Sequence, residues 1–324
     1  MNNRSADFER LWQYSVGFYG VWIAHIGRQL KLFNHIAAGP VSIEELIMNT
    51  KLYAPAVRAW CSAAQSYRLI ATKKDKIQLK KHMKRILIDK TSPDYIGGQF
   101  SYLALRSLEY GSLEELFKSG KTLKKMSTLN AIEQATDWDH YAFLATVRNQ
   151  RKLHQMLSKG CRLLDVGCGT GGMLAKIHKQ YPKSSFVGID PSGKAVAMAR
   201  QILDGKPISL IKSTGESMKF ANEFEIVYLG ESLYITKEKE KVVSNCWRAL
   251  RKEGTIVIVE GLLPKLKFHG SSSRLIMGMQ LDFALQGHKF MNKRDVVLLL
   301  NNGFSSIQFK NLGGDVYLIR ATKK

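Results

Sequence analysis

Seven residues in the middle of the chain, Asp165-Val166-Gly167-Cys168-Gly169-Thr170-Gly171, have the types and spacing to hold a ligand. A turn this tight needs glycines, because only they take the unusual backbone angles that let the chain approach a bound molecule closely. The apolar run Arg162 to Val166 leads into the turn as a strand, and Gly171 to Tyr181 leaves it as a helix. The second half of the arrangement is Asp190, which ends the strand Ser185 to Ile189, 19 positions beyond Gly171. A carboxylate at that place accepts hydrogen bonds from both hydroxyls of a ribose. Turn and carboxylate together point to a nucleoside-bearing ligand.

Two features separate this turn from that of a dinucleotide site. Its glycines are spaced G-x-G-x-G and not G-x-G-x-x-G, and it starts from an acid, Asp165. A carboxylate there repels a pyrophosphate and favours a cation. S-adenosylmethionine, which carries a sulfonium and an ammonium, suits an acidic turn.

On these residues the segment 161–324 resembles the class I S-adenosylmethionine-dependent methyltransferases, whose first motif reads D-x-G-x-G-x-G. Gly215-Glu216-Ser217-Met218-Lys219-Phe220 is similar to the family's adenine-contacting D-A-E-x-L-P-F segment, with Thr214 in place of the aspartate and Lys219 in place of the proline. Phe224 to Val227 resembles the fourth strand, and Ala249-Leu250-Arg251-Lys252-Glu253-Gly254 the turn before the fifth. The whole chain resembles the two-domain small-molecule methyltransferases: Gly39-Pro40-Val41-Ser42-Ile43-Glu44-Glu45-Leu46 is like their G-P-x-T-x-E-E-L, and Asp282 to Phe304 like the stretch that ends in A-G-F. The resemblance implies O-methylation of a small molecule, with S-adenosylmethionine turned into S-adenosylhomocysteine. It implies a cofactor site made of Asp165, Gly167, Cys168, Gly169, Gly171, Asp190, Pro191, Gly215, Glu216 and Gly230. It also implies a homodimer formed through a winged-helix-like N-terminal domain, and no metal.

The acceptor half departs from the family. Plant-type O-methyltransferases place a base histidine after the fourth strand in an L-H-D-W context, whereas Gly230-Glu231-Ser232-Leu233-Tyr234-Ile235-Thr236 holds no histidine. Methyl transfer is an in-line displacement in which positioning supplies much of the rate. A base is needed only for a protonated nucleophile, and then adds ~10²–10⁴-fold. The candidate bases are His140, on the helix leading into the second domain, and Glu231, at the end of the fourth strand; His288 is a lesser third. Each also has a plain structural reading, as a bonded helix histidine, a surface carboxylate and a loop histidine.

The elements that must position these groups are legible in outline. Residues 1–90 read as a helical, winged-helix-like domain: an apolar run from Asp7 to Ile36, a break at Gly39-Pro40, a capped start at Ser42–Glu45, a helix from Ala56 to about Tyr67, and a hairpin through Leu69–Leu79. Residues 91–158 read as linking helices, the last running from about Asp139 to Ser158. Residues 159–324 alternate strand and helix, which predicts an α/β, Rossmann-like, mostly parallel seven-stranded sheet closed by an antiparallel hairpin around Gly313-Gly314. Trp12, Tyr14, Phe18, Tyr19 and Trp22 on the first helix read as a helix–helix or dimer core, with a pocket wall as the sharper alternative.

Composition bounds the rest. The chain has 324 residues with 45% hydrophobic content, enough for two packed domains. Its beginning lacks a charged start and apolar run of the signal-peptide kind, and its apolar runs are too short to span a bilayer, so a cytoplasmic protein is expected. The 4 cysteines fit neither a disulfide framework nor a zinc site. Lys+Arg 49 against Asp+Glu 27 gives a formal +22, and Lys73–Lys76 with Lys80–Arg85 could neutralise phosphates as a basic wing. Nucleic-acid binding is therefore a second reading, not favoured, since the chain lacks D/N-P-P-Y/F and Pro-Cys motifs and Val57–Ala64 is too apolar for a recognition helix. A non-catalytic sensor of the cofactor is a third.

Overall fold

The computed structural model describes residues 5–92, 94–123, 129–264 and 271–324. It divides into two compact units, one of Met1–Gly111 with Ser127–Tyr141, the other of Ser112–Met126 with Ala142–Lys324.

The first unit is mainly helical. Helix α1 (Ala6–Gln29) starts where the Ser5 hydroxyl accepts the Phe8 N–H, with Asp7 and Glu9 in its first turn. The apolar run expected to continue to Ile36 is interrupted, because Lys31 takes a left-handed φ of 57° and a separate helix, α2 (Leu32–Ala38), follows. Helix α3 (Ile43–Thr50) opens with the expected capping box, Ser42 and Glu45 each bonding the other's backbone N–H. Helix α4 (Ala54–Ser66) buries Val57, Trp60, Cys61 and Ala64, so the apolar helix serves as a core element. Strands β1 (Ala71–Lys73) and β2 (Lys76–Gln78) pair antiparallel through a turn with Lys74 and Asp75 at positive φ, and Val41 bridges Ile77 on the far side. The basic run 80–85 lies not on this hairpin but in α5 (Lys81–Leu87), with Lys80 as the residue before it. Helix α6 (Gly97–Ser107) follows. Leu32, Phe33, Ile36, Leu46, Trp60, Ile70, Ile77 and Leu87 share one core.

Helix α7 (Leu113–Ser119) belongs to the second unit, and α8 (Leu129–Asn149) runs from the first into the second. The single helix expected up to Ser158 is two, since Gln150 is extended (φ −102°, ψ 96°) and α9 (Arg151–Lys159) begins after it.

From there strands and helices alternate: β3 (Arg162–Val166), α10 (Gly172–Gln180), β4 (Ser185–Asp190), α11 (Gly193–Ile202), β5 (Ile208–Lys212), β6 (Phe224–Gly230), α12 (Lys239–Ala249) and β7 (Leu250–Gly261). Helix α13 (Ser271–Leu285) precedes α14 (Lys293–Asn301), β8 (Phe304–Gly313) and β9 (Val316–Lys323). The seven strands stand in the order β5-β4-β3-β6-β7-β9-β8, parallel except for β9, which runs antiparallel to both neighbours, as the closing hairpin predicts. Central strands covered on both faces need continuous apolar runs. Leu163-Leu164, Ile226–Leu229 and Ile256–Val259 supply them at 0–3% exposure. Each such side chain contributes up to ~1.5–3 kcal/mol on burial. From β3 the chain winds outward to β4 and β5, then returns to the other side of β3 as β6 and β7. The order reverses at β3/β6, where open α/β sheets leave a ligand crevice beyond the carboxyl ends of the strands.

Candidate active site

The glycine turn leaves β3 at that reversal. Gly167, Gly169 and Gly171 all have positive φ, at 86°, 54° and 80°. The N–H groups of Gly167 and Cys168 both donate to Ile189 O, at 2.8 and 3.0 Å, which binds the turn to β4. A side chain at Gly167 would stand 2.6 Å from Ser232 Cβ, and one at Gly171 2.8 Å from Leu203 Cδ1. Gly169 differs: nothing lies within 4 Å of the place its Cβ would take, so the turn presents a bare backbone to open space.

Asp190 stands across from that opening. Its Oδ2 accepts the Gly169 N–H at 3.0 Å and its Oδ1 the Ser192 N–H at 2.8 Å, so turn, strand end and the start of α11 are held by one carboxylate. Burial raises its pKa while these two bonds oppose the rise. Asp165, beside Gly188 and Tyr228 in the sheet register, is 2% exposed. Burial, with the charge of Asp190 adding to it, pushes its carboxyl up to about 8. Both influences disfavour its anion, and the charge of a cationic ligand would oppose them.

The remaining expected residues stand at or after the carboxyl ends of β3, β4, β5 and β6. Cys168 contributes backbone only: its thiol is buried against Gly188, and burial with Asp165 and Asp190 nearby raises its pKa. Pro191 is exposed at the end of β4. Gly215 is packed against Val242 and Val166, and Asn245 Nδ2 donates to both Gly215 O and Glu216 O at 2.9 Å. Ser213 N–H donates to Asp190 O at 3.1 Å, so the segment after β5 is tied to the end of β4. Gly230 ends β6 against the Tyr228 ring.

The candidate bases divide between the units. Glu231 follows β6 in the second unit with φ 48°, an uncommon conformation for its type. Its N–H donates to Val259 O at 2.8 Å, and its Oε1 accepts the Gly261 N–H at 3.1 Å. His140 lies on the part of α8 that belongs to the first unit, half-buried, its N–H donating to the side chain of the buried Asp139. His288 follows α13, half-buried, with its pKa lowered by burial and by Lys239 and Lys237, which keeps the ring neutral near pH 7. Among the described residues no group of three or more His, Cys, Asp or Glu could hold a metal ion, and no helix is long and apolar enough to cross a membrane.

Three residues of this site escaped sequence reasoning. Ser232 links the loop after β6 to the glycine turn through Oγ donating to Val166 O at 2.8 Å. Asn245 seats the 213–217 segment. Glu260 receives the Leu233 and Tyr234 N–H groups, the latter at 3.1 Å. An uncommon acid inside an apolar strand was the only signal for Glu260; Ser232 and Asn245 carried none.

A seven-stranded sheet with one antiparallel strand, a glycine turn after its first strand and an acid ending its second define the class I S-adenosylmethionine-dependent methyltransferase fold. Residues 164–258 match a family described as a methyltransferase domain. Over its whole length the chain is similar to human N-acetylserotonin methyltransferase, solved in complex with S-adenosylmethionine, with a TM-score of 0.77 at 16% identity, covering 100% of this chain and 99% of that one. It is likewise similar to the pyocyanin biosynthetic protein PhzM, with a TM-score of 0.73 at 18% identity, covering 98% and 99%. Among curated proteins it is 27% identical to the myricetin 3'-O-methyltransferase 4 of Solanum lycopersicum over 128 residues, 39% of this chain and 33% of that one. It is 27% identical to the eugenol O-methyltransferase of Sorghum bicolor over 155 residues, 44% and 38%. The matches therefore span about a third of the length of these curated relatives.

Proposed function

We propose that this protein is an S-adenosylmethionine-dependent methyltransferase that methylates an oxygen of a small molecule by in-line transfer. The observation that carries the reading is the bare backbone of Gly169 facing open space with Asp190 beside it and Asp165 buried behind it. The residues fit the cofactor. Asp190 would hold the ribose hydroxyls, Asp165 would favour the cationic methionyl end, and Gly215-Glu216 would border the adenine. The cofactor supplies an electrophilic methyl group on a cationic sulfur. The protein's part is to align an acceptor atom with that carbon, exclude water and accept a proton where the acceptor carries one. Glu231, at the carboxyl end of β6, is the candidate proton acceptor in the second unit, and His140 the one in the first.

Oxygen as the acceptor atom follows the names of the myricetin and eugenol relatives. Residues 1–90 form, in this reading, a winged-helix-like dimerisation domain, 91–158 the linking helices and 159–324 the methyltransferase domain of a cytoplasmic homodimer. Helix α1 supports the dimer: Leu11, Trp12, Tyr14, Phe18 and Tyr19 are each more than half exposed along it, a large apolar face for a single chain.

Calorimetry with S-adenosylmethionine and S-adenosylhomocysteine tests the cofactor assignment, and transfer of labelled methyl into metabolite extracts tests catalysis. Binding of both is expected, with a loss of at least ~10-fold in Asp190→Ala, since a hydrogen bond to a charged group contributes ~1.5–3 kcal/mol. Unchanged affinity in Asp190→Ala would overturn the site.

A further inference from the structure

Helices α12 and α14 pack on the same core, yet they leave a cleft of ~830 Å³ between them that no residue of the cofactor site lines. Small-molecule sites have volumes of ~300–1,000 Å³. Both helices begin at the carboxyl ends of the strands, α12 after β6, and α14 next to Asn292, which bridges Leu263 just past β7. The cleft therefore has two unlike ends. Lys239 of α12 and Lys289, ahead of α14, stand at one. Trp247, about two turns or ~12 Å further along α12, stands at the other with its indole against Gly303. Buried Val243, Met291 and Phe304 supply an apolar floor.

The first end is cationic. Among the described residues Lys237, Lys239 and Lys289 are not paired with an acid; Glu238, between the first two, is paired with Lys241 at 3.2 Å. Lys239 Nζ uses one donor on Thr236 O, at 2.7 Å. Burial, and then the charges of Lys239 and Lys237, lower the pKa of the half-buried His288, which adjoins Lys289 in the chain. Of the acids on the cleft, Asp295 accepts the Asn292 N–H in the cap of α14, and Glu240 is exposed at the rim. Like charges gathered in this way repel, and an anion between them relieves the repulsion. The other end disfavours a cation for its own reason. Buried Lys323 holds its Nζ 4.1 Å from the Trp247 ring centroid, so one face of the indole already carries a positive charge. The half-open ring then suits an apolar or electron-rich body.

We propose that the cleft between α12 and α14 is a second small-molecule site, which takes a carboxylate with an apolar body: the acid group lies between Lys239 and Lys289, and the body runs along the floor to Trp247. An anion at Lys239 competes with Thr236 O for that ammonium, so the occupied site also acts on the 231–236 loop, which carries Glu231. The site stands on the cleft and its charges and not on the methyltransferase reading.

The full chain, labelled with ¹⁵N at tryptophan, is titrated by NMR with 2-naphthoate and with decanoate. The Trp247 indole resonance, assigned by its absence in Trp247→Phe, is expected to shift and saturate with at least one of them, and the tighter of the two tells an aromatic body from an acyl one. The neutral counterparts, 2-naphthol and decanol, should bind about fivefold more weakly or worse, and Lys239→Gln combined with Lys289→Gln should weaken the carboxylate by about the same factor, since two charge contacts are lost. Saturating S-adenosylhomocysteine should leave the shift in place. An unmoved Trp247 resonance with both carboxylates, equal affinity for the neutral counterparts, or wild-type affinity in the double lysine variant would overturn the site. Displacement by S-adenosylhomocysteine would overturn it too, by putting the ligand at the glycine turn. If S-adenosylhomocysteine itself does not bind, the methyltransferase reading falls and the carboxylate titration stands.

Discussion

Replacing Gly169 by alanine separates ligand binding from folding. The residue has φ 54°, and no atom lies within 4 Å of the place its Cβ would occupy. The protein alone therefore meets only the conformational cost, ~1–2 kcal/mol for an L residue in the left-handed region. For the unit of Ser112–Met126 with Ala142–Lys324, each kcal/mol lowers Tm by ~2–4 °C. The expected drop is thus ~2–8 °C, and the variant folds. The space the methyl group enters is the space a ligand cradled by the turn would use. An extra methyl forced into a packed contact costs ~1–3 kcal/mol, a weakening of ~5- to 150-fold in Kd. Calorimetric titration with S-adenosylmethionine reads the second number and a thermal melt the first. Gly167→Ala is the control of opposite sign, because its Cβ would press on Ser232 at 2.6 Å and damage the fold itself. Wild-type affinity in a folded Gly169→Ala would refute the placement of a ligand at this turn.

Two further outcomes follow from the charges and the exposed face. Asp165 titrates at about 8 in the folded protein, so the native state keeps a proton that the unfolded chain gives up near pH ~4. Stability from this group is full below pH ~4, declines as pH rises and is lost above about 8. Asp165→Asn removes the dependence: against wild type, its denaturant midpoint in the absence of ligand should gain markedly more at pH 9 than at pH 4, and an equal change at both would contradict the burial argument. On α1, Trp12→Ser with Tyr19→Ser should weaken self-association by tenfold or more, because buried aromatic anchors each contribute ~2 kcal/mol or more to an interface. Sedimentation profiles identical to the wild type would show that this face is not where two copies meet.

Much of the donor half was legible in the sequence because it is local. A strand, three glycines and a helix start adjoin in the chain, and Asp190 is announced by the apolar run it ends. The sheet was legible for a similar reason, since strands buried on both faces must be written as continuous apolar runs. Helix boundaries were less so: nothing in the residue types of Lys31 or Gln150 requires a break there, and the left-handed or extended backbone at each follows from packing.

The acceptor side and the seating of the 213–217 segment were not legible, because their connections join residues far apart in the chain. The Ser232 bond to Val166 spans 66 positions and the Asn245 bonds to Gly215 and Glu216 span 30 and 29. The Glu260 bonds to Leu233 and Tyr234 span 27 and 26. The sequence by itself determined the glycine turn, the acid after the second strand of the sheet, and the alternation that makes a parallel sheet. Only the tertiary structure decided that Glu231 takes a left-handed backbone and stays half-open, that Glu260 is fully enclosed and holds the Leu233 and Tyr234 N–H groups, and that Ser232 bonds the strand end from which the glycine turn leaves. Backbone conformation and apolar burial leave periodic traces along a chain, whereas a hydrogen bond between two distant strand ends leaves none.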